Sequence, residues 1–584
     1  MGGAGRRFAH RRPLALGVLL LVIWVVVAAK LFEVQVVRAD EWTERGLAQR
    51  ITQEELAPRR GTIYDRAGQV LAFTIDATTV YANPGQVEDP VEASLAVAAA
   101  LGQPVDVVAE KLARDSSFVY LARQLEGDAA AAVAELDIPG IYTVPEPKRL
   151  YPAGGAAAHV VGFVDIDGTG LEGLEYHFDE ELRGRPGFIQ YEQANGVQIP
   201  HGREDRVDPV PGADLGTTID LSLQFITDRA CAATVERTGA KRCSIVVLEP
   251  ESGEVLALTV APGYDPGDRS ALEPERLQNI AVRSLYEPGS TLKILTIGAA
   301  LEDGVIDPDT TFEVPAELEF YDEAIDRTWT FEDVDRTETE VLTVREIVTR
   351  SSNIGTILIE QELGFERHRD ALTSWGFGSP VGIDLNGEAQ GSVNLDPTCV
   401  TCGPSVAIGY SLNTTLIQMA SVFGAVANDG EWVTPHVVRR IDRAGEVDEP
   451  SVERRELVSP EVAATLRSLL RNVVEDEEGT GVAARIAGYD VGGKTGTSRV
   501  FEDGRYHDDR FMASFIGMAP VDDPRLVVAV LVEEPQGKAY SGGTAAAPAF
   551  AEVMEKALQQ LGIEPVQLEE EAGGADADEA DTDG

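Results

Sequence analysis

"YEPGSTLK", residues 286–293, decides how the rest of this chain is read. Pro288 and Gly289 break whatever precedes them, and "TLKILTIGAALEDG" reads as a helix with a glycine near its end. Ser290 then stands at a helix N-terminus with Lys293 one turn on, and residues three apart share a helix face. Two readings compete. In one, Ser290 caps the helix and Lys293 is a surface lysine. In the other, Ser290 is a nucleophile and Lys293 its base. The helix end offers N–H groups and partial positive charge where an oxyanion forms. A lysine serves as base once burial or a neighbouring cation lowers its pKa. Of eight lysines, only Lys293 has a serine three residues upstream. Alone the string is weak, since a chance sequence this long carries about two of them.

A second signal is "GGKTGTS", residues 492–498, just ahead of strand-like sequence. Gly496 would let a substrate backbone approach, while Lys494, Thr495 and Thr497 offer donors to a carboxylate. Read alone it is a glycine turn. An S-x-N string between the two would complete a set, and three exist: Ser351–Ser352–Asn353, Ser392–Val393–Asn394 and Ser411–Leu412–Asn413. The second lies in a loop without a supporting helix. The third precedes a helical run that would present it equally well. The first sits between "LTVREIVTRS" and "IGTILIEQELG", in a short turn between helices from which a polar pair projects, so Ser351 and Asn353 are chosen.

Outward from these motifs, "CSIVVLEPESGEVLALTV" reads as a hairpin, and "RFMASFIGMAP" and "RLVVAVLVEEP" as strands. A helix follows "TTIDLSLQ" and another ends the ordered chain at "AAPAFAEVMEKALQQLG". The expected fold is an antiparallel sheet covered by helices. Before residue 215, "RGTIYDRAGQVLA" reads as strand, turn, strand, with Asp65 and Arg66 pairing locally. Residues 91–136 have helical spacing. The glycines of 151–175 mark turns and close backbone approach rather than a phosphate cradle.

Arg6, Arg7, Arg11 and Arg12 precede the apolar run "PLALGVLLLVIWVVVAA", and no A-x-A cleavage site follows. The expectation is an uncleaved, single-pass signal anchor over residues 13–37, Lys30 snorkelling toward the headgroups. Residues 1–12 form a cytoplasmic basic tail, with the rest outside. The 98 acidic and 49 basic residues leave a formal net charge of −49, which argues against nucleic acid as a partner. The acidic tail from 563 to 584 reads as disordered. Cys399 and Cys402 form "CVTC" with no second pair or histidines for zinc, so a local disulfide is expected. Cys231 and Cys243 pair or stay free. Seven scattered histidines without H-E-x-x-H leave no metalloprotease reading.

With "YEPGSTLK", "SSN" and "KTGT" in order, the chain resembles class B penicillin-binding proteins, the peptidoglycan DD-transpeptidases. "RGTIYDRAGQVLA", "RLYPAGGAAAHVVGFV", "GLEGLE", "LRGRPG", "TTIDLSLQ", "SSNIGTILI", "ASFIGMAP" and "AAPAF" also stand in family order. The resemblance implies a multidomain protein. A pedestal of α+β type spans residues 38–214, and a transpeptidase domain with a central antiparallel sheet flanked by helices spans 215–562. It implies that Ser290 attacks the penultimate D-alanine carbonyl of a stem pentapeptide, with Lys293 as base and Ser351 relaying a proton to the leaving amine. Asn353 positions the substrate amide, and Lys494, Thr495 and Thr497 receive its carboxylate. The backbone N–H groups of Ser290 and Thr497 form the oxyanion hole. No metal or other cofactor takes part, and β-lactams acylate Ser290. The partner implied is a multi-pass membrane glycosyltransferase of the FtsW type, with other division proteins, at the bacterial plasma membrane. Glu287 before the proline favours the septal, FtsI-type branch. The alternatives are an elongation-type transpeptidase, a β-lactamase or β-lactam sensor, and an inactive division scaffold; a DD-carboxypeptidase side reaction is also open.

Overall fold

The computed structural model describes residues 11–42, 50–194, 197–200, 202, 204–268, 270, 272–323, 325–334, 336–394 and 396–565. Most of the basic tail and nearly all of the acidic tail therefore lie outside the described residues. Those described fall into two compact units, one drawn from residues 1–59 and 184–211 and the other from 60–183 and 212–584.

In the first unit, helix α1 (Arg11–Phe32) is 22 residues long and runs on through a π-helical turn at Glu33–Val37. It is long and apolar enough to cross a membrane, with a length of about 33 Å against a hydrocarbon core of about 30 Å. Lys30 does not stand alone at its end; Nζ pairs with Glu33 at 2.8 Å. The same unit holds β1 (Ile51–Leu56), antiparallel to the strand Gly187–Ala194, which also pairs with Glu204–Val207.

The second unit opens with β2 (Ile63–Tyr64) and β3 (Val70–Ala82), the expected strand, turn and strand. Asp65 and Arg66 do not pair with each other. Asp65 accepts the N–H groups of Ala67 and Gln69 and reaches Leu221 N, while Arg66 meets Glu254 at 3.5 Å. The aspartate is short enough to close its own turn, and the longer arginine is drawn to a carboxylate just ahead of a distant strand. Pro90–Leu101 and Val105–Leu112 are helical as read, but β4 (Val119–Leu125) interrupts the helical stretch before Asp128–Glu135. Its "VYLARQL" alternates buried and exposed at the start, a two-residue period that the alanine-rich surroundings obscure. β5 (Ile141–Leu150) completes this part on the other edge of β3. Arg60 and Arg149 both bond to the buried Glu175, at 2.6 and 2.7 Å, so the arginine opening "RGTIYDR" is structural. Gly61 is required because a Cβ there would lie 1.8 Å from Ala213 O.

β6 (Asp214–Thr217) runs parallel to β2 on one side and antiparallel to the strand Val438–Arg443 on the other, with Leu215 opposite Ile441. One mixed sheet therefore joins segments from before and from inside the expected catalytic part. After helix α2 (Leu221–Thr238), capped by Asp220, come β7 (Arg242–Leu248) and β8 (Val255–Ala261). With β9 (Gly492–Glu502), β10 (Arg505–Ala519) and β11 (Leu526–Glu533) these form a five-stranded sheet in the order β8-β7-β11-β10-β9, antiparallel throughout. Alternate residues divide between two cores. Val246, Leu248, Ile516 and Leu531 face the larger helical lobe, and Ile245, Val247, Phe515 and Val530 face the opposite layer, which includes Ala547–Gln560. Burial on both faces explains why β11 reads as an unbroken apolar run. Cys231–Cys243 and Cys399–Cys402 are both disulfide-bonded, closing the question left open for the first pair.

Candidate active site

Gly289–Thr291 form a single 3₁₀ turn that leads into helix α3 (Lys293–Glu302). The residue at the N-cap of α3 is Leu292, and Ser290 caps neither the turn nor the helix. Its hydroxyl is half-buried and faces a cleft of about 900 Å³. Lys293 is no surface lysine, with 1% of its area exposed. Nζ donates to Ser351 O at 2.6 Å and to Asn353 Oδ1 at 2.8 Å, and lies 3.4 Å from Ser351 Oγ.

Of the three S-x-N strings, the structure brings Ser351–Ser352–Asn353 to the cleft. They join helix α4 (Val344–Thr349) to α5 (Asn353–Leu363), with Ser352 as N-cap through a bond from Gly355 N. Ser351 has φ +58°, the left-handed region that non-glycine residues rarely take. That conformation turns its side chain toward the sheet, where Lys494 Nζ donates to Ser351 Oγ at 2.8 Å. Ser392 and Asn413 instead pair within a small two-stranded sheet.

β9 is an edge strand of the main sheet, so its outer side can receive an extended ligand. Thr495 and Thr497 line the cleft, while Lys494 lies behind them, 1% exposed. Gly496 serves the protein's own packing: a Cβ there would meet Ser514 Oγ at 2.4 Å and Pro288 O at 2.7 Å. Its bareness lets the strand press on the turn that carries Ser290. Gly409 does the same from the helical side, since its Cβ would lie 2.0 Å from Gly289 O.

Burial brings the pKa of Lys293 down to about 7, with the negative charge of Asp333 working the other way. Burial lowers Lys494 well below the ordinary lysine value, and the charge of Lys293 lowers it further. Two ammonium groups so close to one serine disfavour each other, and Ser351 Oγ lies between the two amines, 3.4 Å from Lys293 Nζ and 2.8 Å from Lys494 Nζ. That is an arrangement for proton transfer.

Two further residues matter, and short motifs could not reveal the first. Asp333 accepts from Ser352 Oγ at 2.5 Å, from Ile354 N at 3.2 Å and from Asn353 N, and its carboxylate is 3.2 Å from Arg336 Nε. It follows the hairpin Glu317–Asp322/Arg327–Glu332, which the sequence reading left unassigned. It holds the S-x-N turn in place. Asp333→Asn is expected to slow penicillin labelling by about tenfold or more, because charge-assisted hydrogen bonds are worth about 1.5–3 kcal/mol; unchanged labelling kinetics would remove Asp333 from the site. The second residue is Glu287, whose carboxylate accepts from Ser411 N and Tyr506 OH, each at 2.9 Å. Burial raises its pKa against those two bonds. Together with Ser498 Oγ donating to Glu287 O at 2.6 Å, these contacts tie the turn before Ser290 to both lobes.

Two family profiles match the chain: the penicillin binding protein transpeptidase domain over residues 243–555 and the penicillin-binding protein dimerisation domain over residues 55–217. The chain is 33% identical to penicillin-binding protein PbpB of Mycolicibacterium smegmatis, covering 95% of this chain and 91% of that protein. It is 31% identical to "Probable peptidoglycan D,D-transpeptidase PbpC" of Pseudomonas aeruginosa, covering 96% of each. Among solved structures, penicillin binding protein 3 of Mycobacterium tuberculosis in complex with aztreonam superimposes with a TM-score of 0.69 at 28% identity, over 88% of this chain and 98% of that one.

Proposed function

The chain belongs to the class B penicillin-binding proteins, the peptidoglycan D,D-transpeptidases, and from that premise we propose the role of each residue in the cleft. Ser290 Oγ attacks the carbonyl of the penultimate D-alanine of a stem pentapeptide, and Lys293 takes its proton. The N–H groups of Ser290 and Thr497 hold the oxyanion. Ser351, bonded to Lys494, passes a proton to the leaving amine, and the terminal D-alanine departs. Asn353 orients the substrate amide. Thr495 and Thr497 receive the carboxylate, which also favours the charged form of Lys494 behind them. An amine of a second stem then attacks the acyl carbonyl, and Ser290 regains its proton as the cross-link forms. β-Lactams enter the same path and stop at the acyl-enzyme.

The observation that carries this reading is the convergence of two buried lysines on Ser351 Oγ beside Ser290. The test is mass spectrometry of the protein after labelling with penicillin. The adduct is expected on Ser290; an adduct on another residue would overturn the assignment. A label lost within seconds would favour a β-lactamase instead.

The finer assignments rest on sequence. Positive residues before α1 favour a cytoplasmic N-terminus and an extracytoplasmic catalytic domain, a side on which two disulfides are at home. The pedestal is taken as residues 38–214 and the catalytic domain as 215–562. Glu287 supports the septal branch, and with it division proteins and a glycosyltransferase of the FtsW type as partners.

A further inference from the structure

We propose that the ion pair Arg350–Glu478, at the rim of the cleft, is the acceptor-specificity element, reading the charge that the acceptor stem carries beyond its attacking amine. This rests on the transpeptidase reading above and adds to it where the second substrate lies.

Arg350 immediately precedes Ser351, and its Nη2 meets Glu478 Oε2 at 2.6 Å. Its Nη1 also donates to Glu340 Oε2 at 3.2 Å, which Arg336 Nη1 contacts at 3.1 Å. Glu478 lies in the loop between the helix Pro460–Glu475 and β9, two residues before Thr480, whose Oγ1 is 2.8 Å from Thr495 Oγ1. The pair thus reaches from the S-x-N turn on the helical lobe to the loop beside Thr495. Both residues line the same cleft as Ser290.

In the first half-reaction the donor ends at the terminal D-alanine carboxylate, held by Thr495 and Thr497. Nothing of the donor extends past that carboxylate. The acceptor differs. Its amine must enter along the path by which the D-alanine amine left, forming the new C–N bond as the bond from carbonyl carbon to Ser290 Oγ breaks and the amine proton returns to Oγ. Whatever is attached to that amine then extends from the vacated D-alanine position toward Thr480 and the rim. Arg350 and Glu478 stand there, with Glu340 and Arg336 beside Arg350 in the same lining.

The side chains are 33% and 62% exposed, and an ion pair so exposed contributes little to stability. Opening it costs little; Glu478 is then freed, while Arg350 stays anchored to Glu340 through Nη1 and keeps Nη2 for an anionic group on the acceptor. Glu478 suits a cationic side group and Arg350 an anionic one, so the class of acceptor favoured is one bearing both.

The test uses the full-length protein in detergent, a thioester analogue of an acyl-D-alanyl-D-alanine donor, and D-alanine, D-glutamate or D-lysine as acceptor, reading the ratio of aminolysis to hydrolysis by mass spectrometry. Relative to D-alanine, Arg350→Gln is expected to lower the use of D-glutamate, and Glu478→Gln that of D-lysine, each by about three- to fivefold. Penicillin acylation should stay at the wild-type rate in both. Unchanged acceptor ratios in both variants would overturn the proposal. So would an equal fall in acylation and aminolysis, which would make the pair a support for Ser351. Glu478→Gln is the safeguard here, because Glu478 lies outside the S-x-N turn. A wild-type protein that takes no label from penicillin would instead refute the transpeptidase reading.

Discussion

Ser290→Ala is expected to abolish covalent labelling by penicillin while leaving the fold intact. The other hydroxyls of the cleft are already committed. Ser351 Oγ accepts from Lys494, Ser352 Oγ donates to Asp333, and Thr480 and Thr495 bond to each other. None sits in the turn Gly289–Thr291 that leads into α3. The hydroxyl of Ser290 caps no helix, so its loss should change stability by no more than about 0.5 kcal/mol. Gel fluorescence after incubation with a labelled penicillin, alongside a thermal melt, reads both outcomes. Persistent label on the alanine variant would place the nucleophile elsewhere.

The second large effect is at Lys293. Lys293→Met keeps the length and the burial of the side chain but removes the amine, and acylation should slow by about a hundred- to ten-thousandfold, the range for loss of a general base. The wild type should show the same dependence through pH. Burial brings Lys293 down to about 7. Below that pH the amine is protonated and cannot take the proton of Ser290, so labelling slows as pH falls; above it the neutral form prevails and the rate levels. Stopped-flow labelling between about pH 5 and 9 tests this. A rate flat across that window would mean that Lys293 is not the base. Asp333 works on the same equilibrium from the opposite side, since its charge favours the ammonium. Asp333→Asn should therefore move the midpoint to lower pH as well as slow the reaction.

The parts of the site legible in the sequence are those compressed into short strings. Ser290 and Lys293 are three residues apart, and Lys494 with its threonines is one strand segment. Their presence could be read because local structure alone brings each group to a common face. The turn Ser351–Asn353 could be chosen over its rivals because helices flank it on both sides. Asp333 and Glu287 could not be read in the same way. Each acts through contacts with residues far away in the chain; Asp333, outside every motif and one of 98 acidic residues, carries no signal, and Glu287 stands inside a motif that does not show what its carboxylate bonds to. The bareness of Gly496 is legible but its reason is not, since the atoms it makes room for, Ser514 Oγ on the next strand and Pro288 O in the turn that carries Ser290, are brought to it only by the fold. In the fold, the strands of the main sheet stood out because both faces are apolar. β4 did not, because its helical neighbours are built from the same small residues.

The mixed sheet around β6 has a consequence for how the chain is made. Leu215 takes its place between Ile63 and Ile441, and the second of these is more than two hundred residues further on. At ordinary synthesis rates, Ile441 emerges roughly ten to forty-five seconds after Leu215. Until then one edge of β6 stays open, with its backbone groups available to any passing strand. The nascent protein therefore has a defined interval of vulnerability, which ends only when a segment from the middle of the catalytic half arrives to close it.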